Sequence, residues 1–256
     1  MDVVKIRGLE VSARHGVNDF EKVAQQKFIF DADITTDFYR AAVNDDLSAT
    51  VNYSAASKLI VRVATEHCFN LIEKLAYECA FSLMENFKNV SSVSLTVYKP
   101  DAPMKLTFSS VAVTANVERE TVYLSLGSSL GDKKHMLDTA FEMLSSTRGI
   151  KVEKVSDYIE TPPYGGVAQN GFLNCAARIS TFLSPYALLD ELHRIENACG
   201  RVRQKRWDDR TLDIDIIFFG DKTINGETLT IPHPDYKNRD FVLKPLKQIA
   251  PHLFGD

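Results

Sequence analysis

The succession of strand and helix signals breaks off once along this chain and starts again, and that restart constrains the fold more than any other feature. Before the break, apolar residues alternate over 28–34, 93–97 and 111–117, which predicts half-buried strands. Apolar residues also recur at helical spacing over 72–87, the pattern of an amphipathic helix. The first half is therefore predicted to combine strands with two helices.

The restart follows Glu118-Arg119-Glu120. Alternating apolar residues resume over 122–126, and a helical stripe of apolar side chains follows over 137–144. The 256 residues exceed the about 100 to 200 residues of a usual single domain. We therefore expect two domains, 1–118 and 121–256.

Composition and charge exclude several classes of protein. With 45% hydrophobic and 25% charged residues, the chain has the make-up of an ordinary globular protein. Its net charge of -4 argues against general binding to nucleic acid or acidic membranes, because such proteins usually carry a basic field. The first residues show no signal-peptide pattern, and nowhere do about 18 apolar residues run together, so we expect a cytoplasmic location without membrane contact.

The cysteines are spaced without any regular pattern, and each lies inside an apolar pattern where a small hydrophobic side chain would fit. We expect all of them to be reduced core residues. They are Cys68, Cys79, Cys175 and Cys199.

A basic segment in the second half is the most informative part of the sequence. Ser184-Pro185 predicts the start of a helix, and Gly200 predicts its end. The segment 201–210 then places five cations in ten residues, before a predicted strand over 211–219. Taken alone, such a segment could be a solvated loop, or a nucleic-acid patch with Trp207 as a stacking platform.

Two carboxylates follow the basic segment. Asp213 and Asp215 are two residues apart on the predicted strand, so both side chains leave the same face of the sheet. Magnesium prefers one or two carboxylates together with water and phosphate oxygens, and arginines neutralise phosphate charge. The pair beside the cations therefore predicts a Mg²⁺ site that holds a nucleotide, in a chain that lacks the GxxxxGK motif.

Four motifs in the second half resemble those of the 6-hydroxymethyl-7,8-dihydropterin pyrophosphokinase family, in the family's order along 121–254. They are Gly127–Asp132 (GSSLGD), Thr161–Pro163 (TPP), Arg206–Asp215 (RWDDRTLDID) and Ile231–Pro234 (IPHP). The resemblance implies a ferredoxin-like α+β domain with helices packed outside its sheet. It also implies transfer of pyrophosphate from ATP to the hydroxymethyl group of the pterin, with release of AMP.

The same resemblance implies roles for single residues. Asp213 and Asp215 are expected to bind two Mg²⁺ ions, and Arg201 and Arg210 to contact the phosphates and assist the transfer. The residues expected to line the ATP site are Glu196, Arg206, Trp207, Thr230, His233 and Arg239. Those expected to hold the pterin ring by stacking and by its polar edge are Phe172, Phe241, Asn174, Thr161, Pro162 and Pro163.

Motifs of the first half resemble those of dihydroneopterin aldolases over residues 2–118. They are Arg14-His15-Gly16 with Glu21, Thr50–Tyr53, Asn70–Ala76 and Lys99–Pro103. The resemblance implies an antiparallel four-stranded sheet with two helices, of the tunnelling-fold type, that assembles into a homo-oligomeric ring. It further implies cleavage of 7,8-dihydroneopterin to glycolaldehyde and 6-hydroxymethyl-7,8-dihydropterin, which is the substrate implied for the second half.

This aldolase resemblance implies a site without a metal or a Schiff base, because the dihydropterin already carries a conjugated C=N bond that can accept electrons. Glu73 is expected to hold the amino and ring N–H groups of the pterin. Lys99 and Tyr53 are expected to move protons, and Glu21 to bind or orient across a subunit interface.

An alternative assignment makes the first half a noncatalytic pterin-binding or oligomerisation scaffold. It is motivated by departures from the family pattern at Ala24-Gln25 and at Met104-Lys105-Leu106. An active aldolase must release glycolaldehyde and must lose this activity in a Lys99→Ala variant, so the two assignments are separable.

Overall fold

The chain divides between Arg119 and Glu120 into two units, each with its own sheet and core. A computed structural model describes residues 1–163, 169–201 and 209–255. Among these residues, none of the helices has both the length and the apolar character needed to span a bilayer. The cytoplasmic location stays a prediction.

Unit 1 is built on an antiparallel sheet of four strands in the order β1-β2-β3-β4. The strands are β1 (Asp2–Ala13), β2 (Gln26–Thr36), β3 (Val90–Lys99) and β4 (Val111–Glu118). The helices are α1 (Asp19–Val23), α2 (Tyr39–Asn44), α3 (Tyr53–Glu66) and α4 (Ile72–Asn86). The predicted four-stranded sheet and its two longer helices are confirmed, and α1 and α2 are short additions.

Alternation of apolar side chains gives the sheet of unit 1 one buried face. Phe28 and Phe30 of β2 are fully buried, as are Leu95 and Val97 of β3. Helix α4 packs on β3 and β4, while α3 packs on β1 and on α4. Burying each such side chain contributes roughly 1.5 to 3 kcal/mol, so this face fixes the register of the strands.

Unit 2 has an antiparallel sheet in the order β6-β8-β5-β9, with β7 pairing with β8. The strands are β5 (Glu120–Ser128), β6 (Ile150–Val155), β7 (Ile159–Thr161), β8 (Phe172–Thr181), β9 (Asp213–Phe219), β10 (Ile224–Asn225) and β11 (Thr230–Ile231). The helices are α5 (Lys133–Ser146), α6 (Pro185–Ala198) and α7 (Asp240–Ile249). Along the chain β5, α5, β6, β8, α6 and β9 follow the βαββαβ order, which confirms the predicted ferredoxin-like domain.

Both faces of this second sheet are covered, but unequally. Helices α5 and α6 contribute to a core with Leu124 and Leu126 of β5. On the opposite face, α7 packs against Tyr123 and Ile217. Residues of β5 alternate between the two faces, and Gly127 pairs with Asp213 beyond the part of the face that α7 covers. That remaining part carries the candidate site.

The ends of α6 were predicted correctly from local sequence. The hydroxyl of Ser184 accepts a hydrogen bond from the backbone N–H of Ala187 at 3.2 Å, and Pro185 is the first helical residue. Cys199 is the C-cap, and Gly200 follows it. The strand predicted to start at Thr211 begins instead at Asp213.

The prediction that all cysteines are core residues is wrong for one of them. Cys79 and Cys175 are buried and Cys199 is half-buried, whereas Cys68 is exposed. Helix α3 ends at Glu66, so Cys68 falls in the loop that joins α3 to α4 and has no core to face. All four cysteines are free thiols.

Candidate active sites

Lys99 and Glu21 form a buried ion pair in unit 1. Lys99 is the last residue of β3, and Glu21 lies in α1, 78 residues away. The Lys99 ammonium donates hydrogen bonds to Glu21 Oε1 and, at 3.0 Å, to the backbone carbonyl of His15. Only 7% of the Lys99 side chain and 2% of the Glu21 side chain are exposed. Because a buried charge is costly without a partner, each of these side chains holds the other in place.

Asn18 completes the hydrogen bonding of Glu21. Its backbone N–H donates to Glu21 Oε2 at 2.9 Å, and its side-chain amide donates to the same oxygen at 2.7 Å. Burial favours the neutral acid, but hydrogen bonds from Lys99 and Asn18 outweigh it and hold the pKa of Glu21 below its usual value. Our sequence reasoning missed Asn18, although an N-cap residue three positions before a glutamate is a recognisable signal.

Gly16 leaves the space that the Glu21 carboxylate occupies. A Cβ on residue 16 would lie between 2.3 and 2.5 Å from the carboxylate atoms of Glu21. The φ angle of Gly16 is +153°, which also disfavours a larger residue. The backbone carbonyl of His15 and the absence of a side chain at Gly16 therefore both shape the site.

The other two candidate residues of unit 1 lie on its surface. Tyr53 is the first residue of α3 and is 67% exposed. Glu73 lies in the first turn of α4, where the helix dipole favours a carboxylate, and it is exposed as well. The fold thus joins Lys99 to Glu21 within one chain and presents Tyr53 and Glu73 to the solvent.

In unit 2, two arginines converge on Asp213. Arg201 approaches Asp213 Oδ1 at 2.8 Å, and Arg210 donates to Asp213 Oδ2. Arg201 also donates to Glu196, whose carboxylate accepts the backbone N–H of Ile214 at 2.8 Å. Glu196 is 1% exposed, so it supports Arg201 from inside the protein.

Asp215 faces a second pair of groups. Arg239 lies 3.7 Å and His233 4.0 Å from Asp215 Oδ2. Burial and the neighbouring charge of Asp213 raise the pKa of Asp215, against the opposing effect of Arg239. Burial and Arg239 lower the pKa of His233, whose Nδ1 accepts the backbone N–H of Asp235 at 3.2 Å. Nε2 of His233 is therefore left to carry the proton that faces Asp215.

The donor set around β9 fits Mg²⁺ with phosphate oxygens. In the described ranges, no three His, Cys, Asp or Glu side chains cluster as a metal cage. Magnesium needs only one or two carboxylates when phosphates and water complete its shell. Burial and the charge of Asp213 raise the pKa of Asp215, so a cation close to both carboxylates would be favourable. Asp213 and Asp215 are the residues that would hold it.

The two ends of the basic segment argue against a nucleic-acid patch. Only 13% of the Arg201 side chain and 21% of the Arg210 side chain are exposed, and both are paired with Asp213. A nucleic-acid surface needs cations that are free to meet phosphates in solvent. Arg206 and Trp207 lie outside the described residues.

Residues expected to hold the pterin lie beside the carboxylates. The Asn174 side chain is buried and donates a hydrogen bond to Thr161 Oγ1 at 2.8 Å. A Cβ on Gly127 would meet Asn174 Oδ1 at 2.8 Å and Phe172 at 3.8 Å, so glycine keeps this corner open. The Arg239 guanidinium lies 5.9 Å from the ring centroid of Phe241.

The remaining expected residues of the described ranges lie at the ends of short strands. Pro162 and Pro163 are exposed and follow β7, and Thr230 opens β11. Ser129 was missed by sequence reasoning, although it lies in the GSSLGD motif. Its N–H donates to the Arg210 carbonyl at 2.9 Å, and its hydroxyl accepts the Arg210 N–H at 2.9 Å, which fixes the Arg210 backbone.

Two family models match the chain, one for each unit. Residues 4–116 match the model described as dihydroneopterin aldolase. Residues 123–251 match the model described as 7,8-dihydro-6-hydroxymethylpterin-pyrophosphokinase (HPPK). Both matches fall on the motifs that carry the candidate residues.

Three curated relatives illustrate the similarity. A 2-amino-4-hydroxy-6-hydroxymethyldihydropteridine pyrophosphokinase of Haemophilus influenzae is 44% identical over 52% of this chain and 83% of its own length. The folic acid synthesis protein fol1 of Pneumocystis carinii is 33% identical over 97% of this chain and 35% of its own length. The bifunctional protein FolKE of Lactococcus lactis is 43% identical over 53% of this chain, which spans 39% of that protein. The chain thus belongs to the 7,8-dihydro-6-hydroxymethylpterin-pyrophosphokinase family and carries a dihydroneopterin aldolase unit ahead of its pyrophosphokinase unit.

Proposed function

We propose that the chain catalyses two consecutive steps of folate biosynthesis. Unit 1 cleaves 7,8-dihydroneopterin to glycolaldehyde and 6-hydroxymethyl-7,8-dihydropterin. Unit 2 transfers pyrophosphate from ATP to the hydroxymethyl group and releases AMP. The observation that supports the proposal is the pairing of expected residues in each unit, Lys99 with Glu21 in unit 1 and Asp213 with Asp215 on one face of β9 in unit 2.

The chemistry proposed for unit 1 needs proton transfer and orientation. A proton leaves the hydroxyl on the second side-chain carbon, and the bond between the first and second side-chain carbons breaks. The electron pair enters the conjugated ring C=N, and a proton is then delivered to the first carbon. Lys99 is suited to move these protons because Glu21 and the His15 carbonyl fix its ammonium, and Tyr53 assists.

We further propose that unit 1 works as a homo-oligomer. Tyr53 and Glu73 lie on the surface while Lys99 is buried, and a second copy that packs on this surface would enclose a pterin between the exposed and the buried groups. Large apolar side chains on the same unit are also exposed, as expected for a surface that another copy covers. They include Val17, Phe20, Val23, Tyr39, Val43 and Leu47.

In unit 2 the hydroxymethyl oxygen attacks the β-phosphorus of ATP, and the bond from that phosphorus to the AMP oxygen breaks. Mg²⁺, when bound with ATP, supplies positive charge at the phosphates. Asp213 and Asp215 would hold two such ions. Arg201 and Arg210 contact the phosphates and neutralise the charge that develops, while Glu196 orients Arg201.

The proposed ligand contacts divide between a nucleotide side and a pterin side. Thr230, His233 and Arg239 line the nucleotide side, together with Arg206 and Trp207. Phe172 and Phe241 stack on the two faces of the pterin. Asn174 and the Thr161–Pro163 loop contact the polar groups along its edge. The buried amide of Asn174, held by Thr161, supports this arrangement because a fixed amide presents one hydrogen-bonding pattern.

One incubation tests both activities. Purified protein receives 7,8-dihydroneopterin, ATP and Mg²⁺, and glycolaldehyde, AMP and pterin pyrophosphate are followed together. A parallel reaction starts from 6-hydroxymethyl-7,8-dihydropterin. All three products from dihydroneopterin are expected. AMP in the parallel reaction alone would leave a pyrophosphokinase fused to a scaffold, and no AMP in either would overturn the proposal for unit 2.

The scaffold alternative is the less favoured one on physical grounds. Two charges withdrawn from water usually lower stability relative to an apolar pair, so a scaffold gains nothing from burying Lys99 against Glu21. A proton-transfer site does gain, because its lysine must be held in one place. The departures that motivated the scaffold at Met104 and Lys105 fall on exposed residues.

A further inference from the structure

We propose that the His15–Gly16 dipeptide is the positioning element of the unit 1 site, and that the His15 imidazole serves in its neutral form with the proton on Nε2. The dipeptide fixes the positions of Lys99 and Glu21 relative to the loop over 67–71, which precedes Glu73. This inference rests on the aldolase function proposed above, but it concerns residues that do not themselves transfer protons.

Both ring nitrogens of His15 are bound to backbone groups. Nδ1 lies 3.0 Å from the backbone nitrogen of Phe69, which can only donate a hydrogen. Nε2 lies 2.9 Å from the carbonyl oxygen of Ala64, which can only accept one. These two partners leave a single tautomer, with Nδ1 as acceptor and Nε2 as donor. The side chain therefore joins the end of β1 both to α3 and to the loop over 67–71.

The backbone of the same dipeptide holds the proton-transfer pair. The His15 carbonyl accepts a hydrogen bond from Lys99 at 3.0 Å, and the Cα of Gly16 faces the Glu21 carboxylate with no room for a Cβ. The Gly16 N–H donates to the Phe69 carbonyl at 2.9 Å. Two consecutive residues thus contact Lys99, Glu21 and both backbone groups of Phe69.

Ring stacking strengthens the link to the loop. The His15 ring stacks on Phe69 with centroids 5.6 Å apart and planes 10° from parallel. His67 stacks on Phe69 at 5.4 Å and 7°. Phe28 meets the His15 ring edge-on at 5.2 Å. Phe69 is four residues before Glu73, so a shift of this stack would move the start of α4.

The surroundings of His15 disfavour the addition of a second proton to its imidazole ring. The residue is fully buried. Burial lowers the pKa of its imidazole, Lys99 and His67 lower it further, and the Ala64 carbonyl acts in the opposite direction. A proton on Nδ1 would also point at the Phe69 N–H and break that hydrogen bond. A buried neutral histidine between two backbone partners is suited to hold geometry.

Nitrogen NMR tests the imidazole directly in the full-length protein. The expected spectrum shows protonated Nε2 and unprotonated Nδ1 for His15 at pH 8, and this state persists below the ordinary imidazole pKa of about 6.5. A His15 ring that gains its second proton near pH 6.5, or that carries its proton on Nδ1, would overturn the proposal. The measurement is independent of any catalytic activity.

Kinetics and hydrogen exchange test the coupling. His15→Phe keeps a stacking ring but removes both hydrogen bonds. It is expected to lower kcat for glycolaldehyde release by about 10- to 100-fold, with less effect on KM, because a misplaced base slows proton transfer. Exchange of the Phe69 amide is expected to speed up by at least about tenfold. His15→Gln, which can still accept and donate, should restore part of both.

His67→Phe is the matched control, since it makes the same replacement on the other side of Phe69. It is expected to keep kcat within about threefold of wild type. Equal losses in His67→Phe and His15→Phe, or wild-type kcat in His15→Phe, would overturn the positioning role. A wild-type protein that releases no glycolaldehyde would refute the proposed aldolase function, and the NMR and exchange data would still decide whether His15 holds the loop.

Discussion

The two candidate sites differ in how their charged side chains are paired. In unit 1 one cation and one anion, Lys99 and Glu21, neutralise each other, and donors hold the pKa of Glu21 below its usual value. In unit 2 Asp213 and Asp215 lie on one face of a strand, and burial together with the charge of Asp213 raises the pKa of Asp215, although arginines approach both carboxylates. The comparison teaches that the first site is electrostatically complete without a charged ligand. The second presents arginines and carboxylates side by side, which suits the metal nucleotide proposed for it.

The sites also differ in how far the fold of one chain buries their candidate residues. Unit 1 buries Lys99 and Glu21 but leaves Tyr53 and Glu73 exposed. Unit 2 gathers its arginines around Asp213 and Asp215 without help from another copy. Substitutions in unit 1 should therefore affect folding and assembly as well as chemistry, whereas those in unit 2 should affect chemistry first.

The largest effect is expected from Asp213→Ala. It removes a proposed metal ligand and leaves Arg201 and Arg210 without their shared carboxylate. The rate of AMP formation should fall by roughly 10³-fold or more, because metal binding is worth several kcal/mol of transition-state stabilisation. Glycolaldehyde release should stay at the wild-type rate. The exposed Asp221→Ala is the control, and full Mg²⁺-dependent activity in Asp213→Ala would refute the site assignment.

Lys99→Met tests whether the buried charge of Glu21 depends on Lys99 for its stability. It leaves the Glu21 charge without its partner, which should cost about 3 to 5 kcal/mol of stability. Hydrogen exchange of amides within 1–119 measures the loss. The double variant Lys99→Met/Glu21→Gln should regain most of it, while neither variant should release glycolaldehyde.

The exposed pair Lys74–Glu78 provides the matched control for that experiment. Its two charged atoms are 2.6 Å apart, and 57% of the Lys74 side chain is exposed. Lys74→Met should cost no more than about 0.5 kcal/mol, because solvent screens such pairs. If Lys74→Met and Lys99→Met destabilise unit 1 equally, the contrast drawn from burial is mistaken.

Gly127→Ala probes the crowded pterin corner of unit 2. The added Cβ would lie 2.8 Å from Asn174 Oδ1, so Asn174 must move and its hydrogen bond to Thr161 is strained. We expect KM for the pterin to rise by about tenfold, equivalent to about 1.4 kcal/mol of binding. Ser125→Ala, two residues earlier on the same face of β5, should leave KM unchanged. An unaltered KM in Gly127→Ala would remove Asn174 from the pterin site.

The smallest effect concerns acid stability of unit 1. Because the folded pKa of Glu21 lies below its unfolded value, its contribution is fully present above the unfolded pKa of about 4.3 and is lost as pH falls through the folded pKa. A tenfold difference in the proton affinity of Glu21 between the folded and unfolded states corresponds to about 1.4 kcal/mol of stability. The protein is unfolded in urea at pH values from 6 to 3, and hydrogen exchange of the amides of residues 1–119 reports on unit 1. The free energy of unfolding should depend less on pH in Glu21→Gln than in wild type. Parallel curves for the two proteins would contradict the depressed pKa.

Local patterns predicted much of the fold, because they depend on residues close together in sequence. Alternation placed β2, β3 and β4, and Ser184-Pro185 with Gly200 located both ends of α6. The period of two along β9 placed Asp213 and Asp215 on one face. Cys68 shows the limit of this reasoning, since a local apolar pattern cannot tell a helix end from the loop beyond it.

Contacts across long stretches of chain could not be predicted in the same way. Whether Glu21 meets Lys99 depends on how β1, α1 and β3 pack, and no local period encodes a separation of 78 residues. The pairing of Glu196 with Arg201, and the binding of both His15 ring nitrogens, likewise became visible only in the folded chain.

By itself, the sequence determined the two α+β units, their family motifs and the residue types at each site, because periodicity and motif order are properties of the linear chain. The tertiary structure alone decided which charges are buried and paired and which are left exposed. That decision depends on desolvation and on distances between elements, and both are set only when the sheets and helices pack.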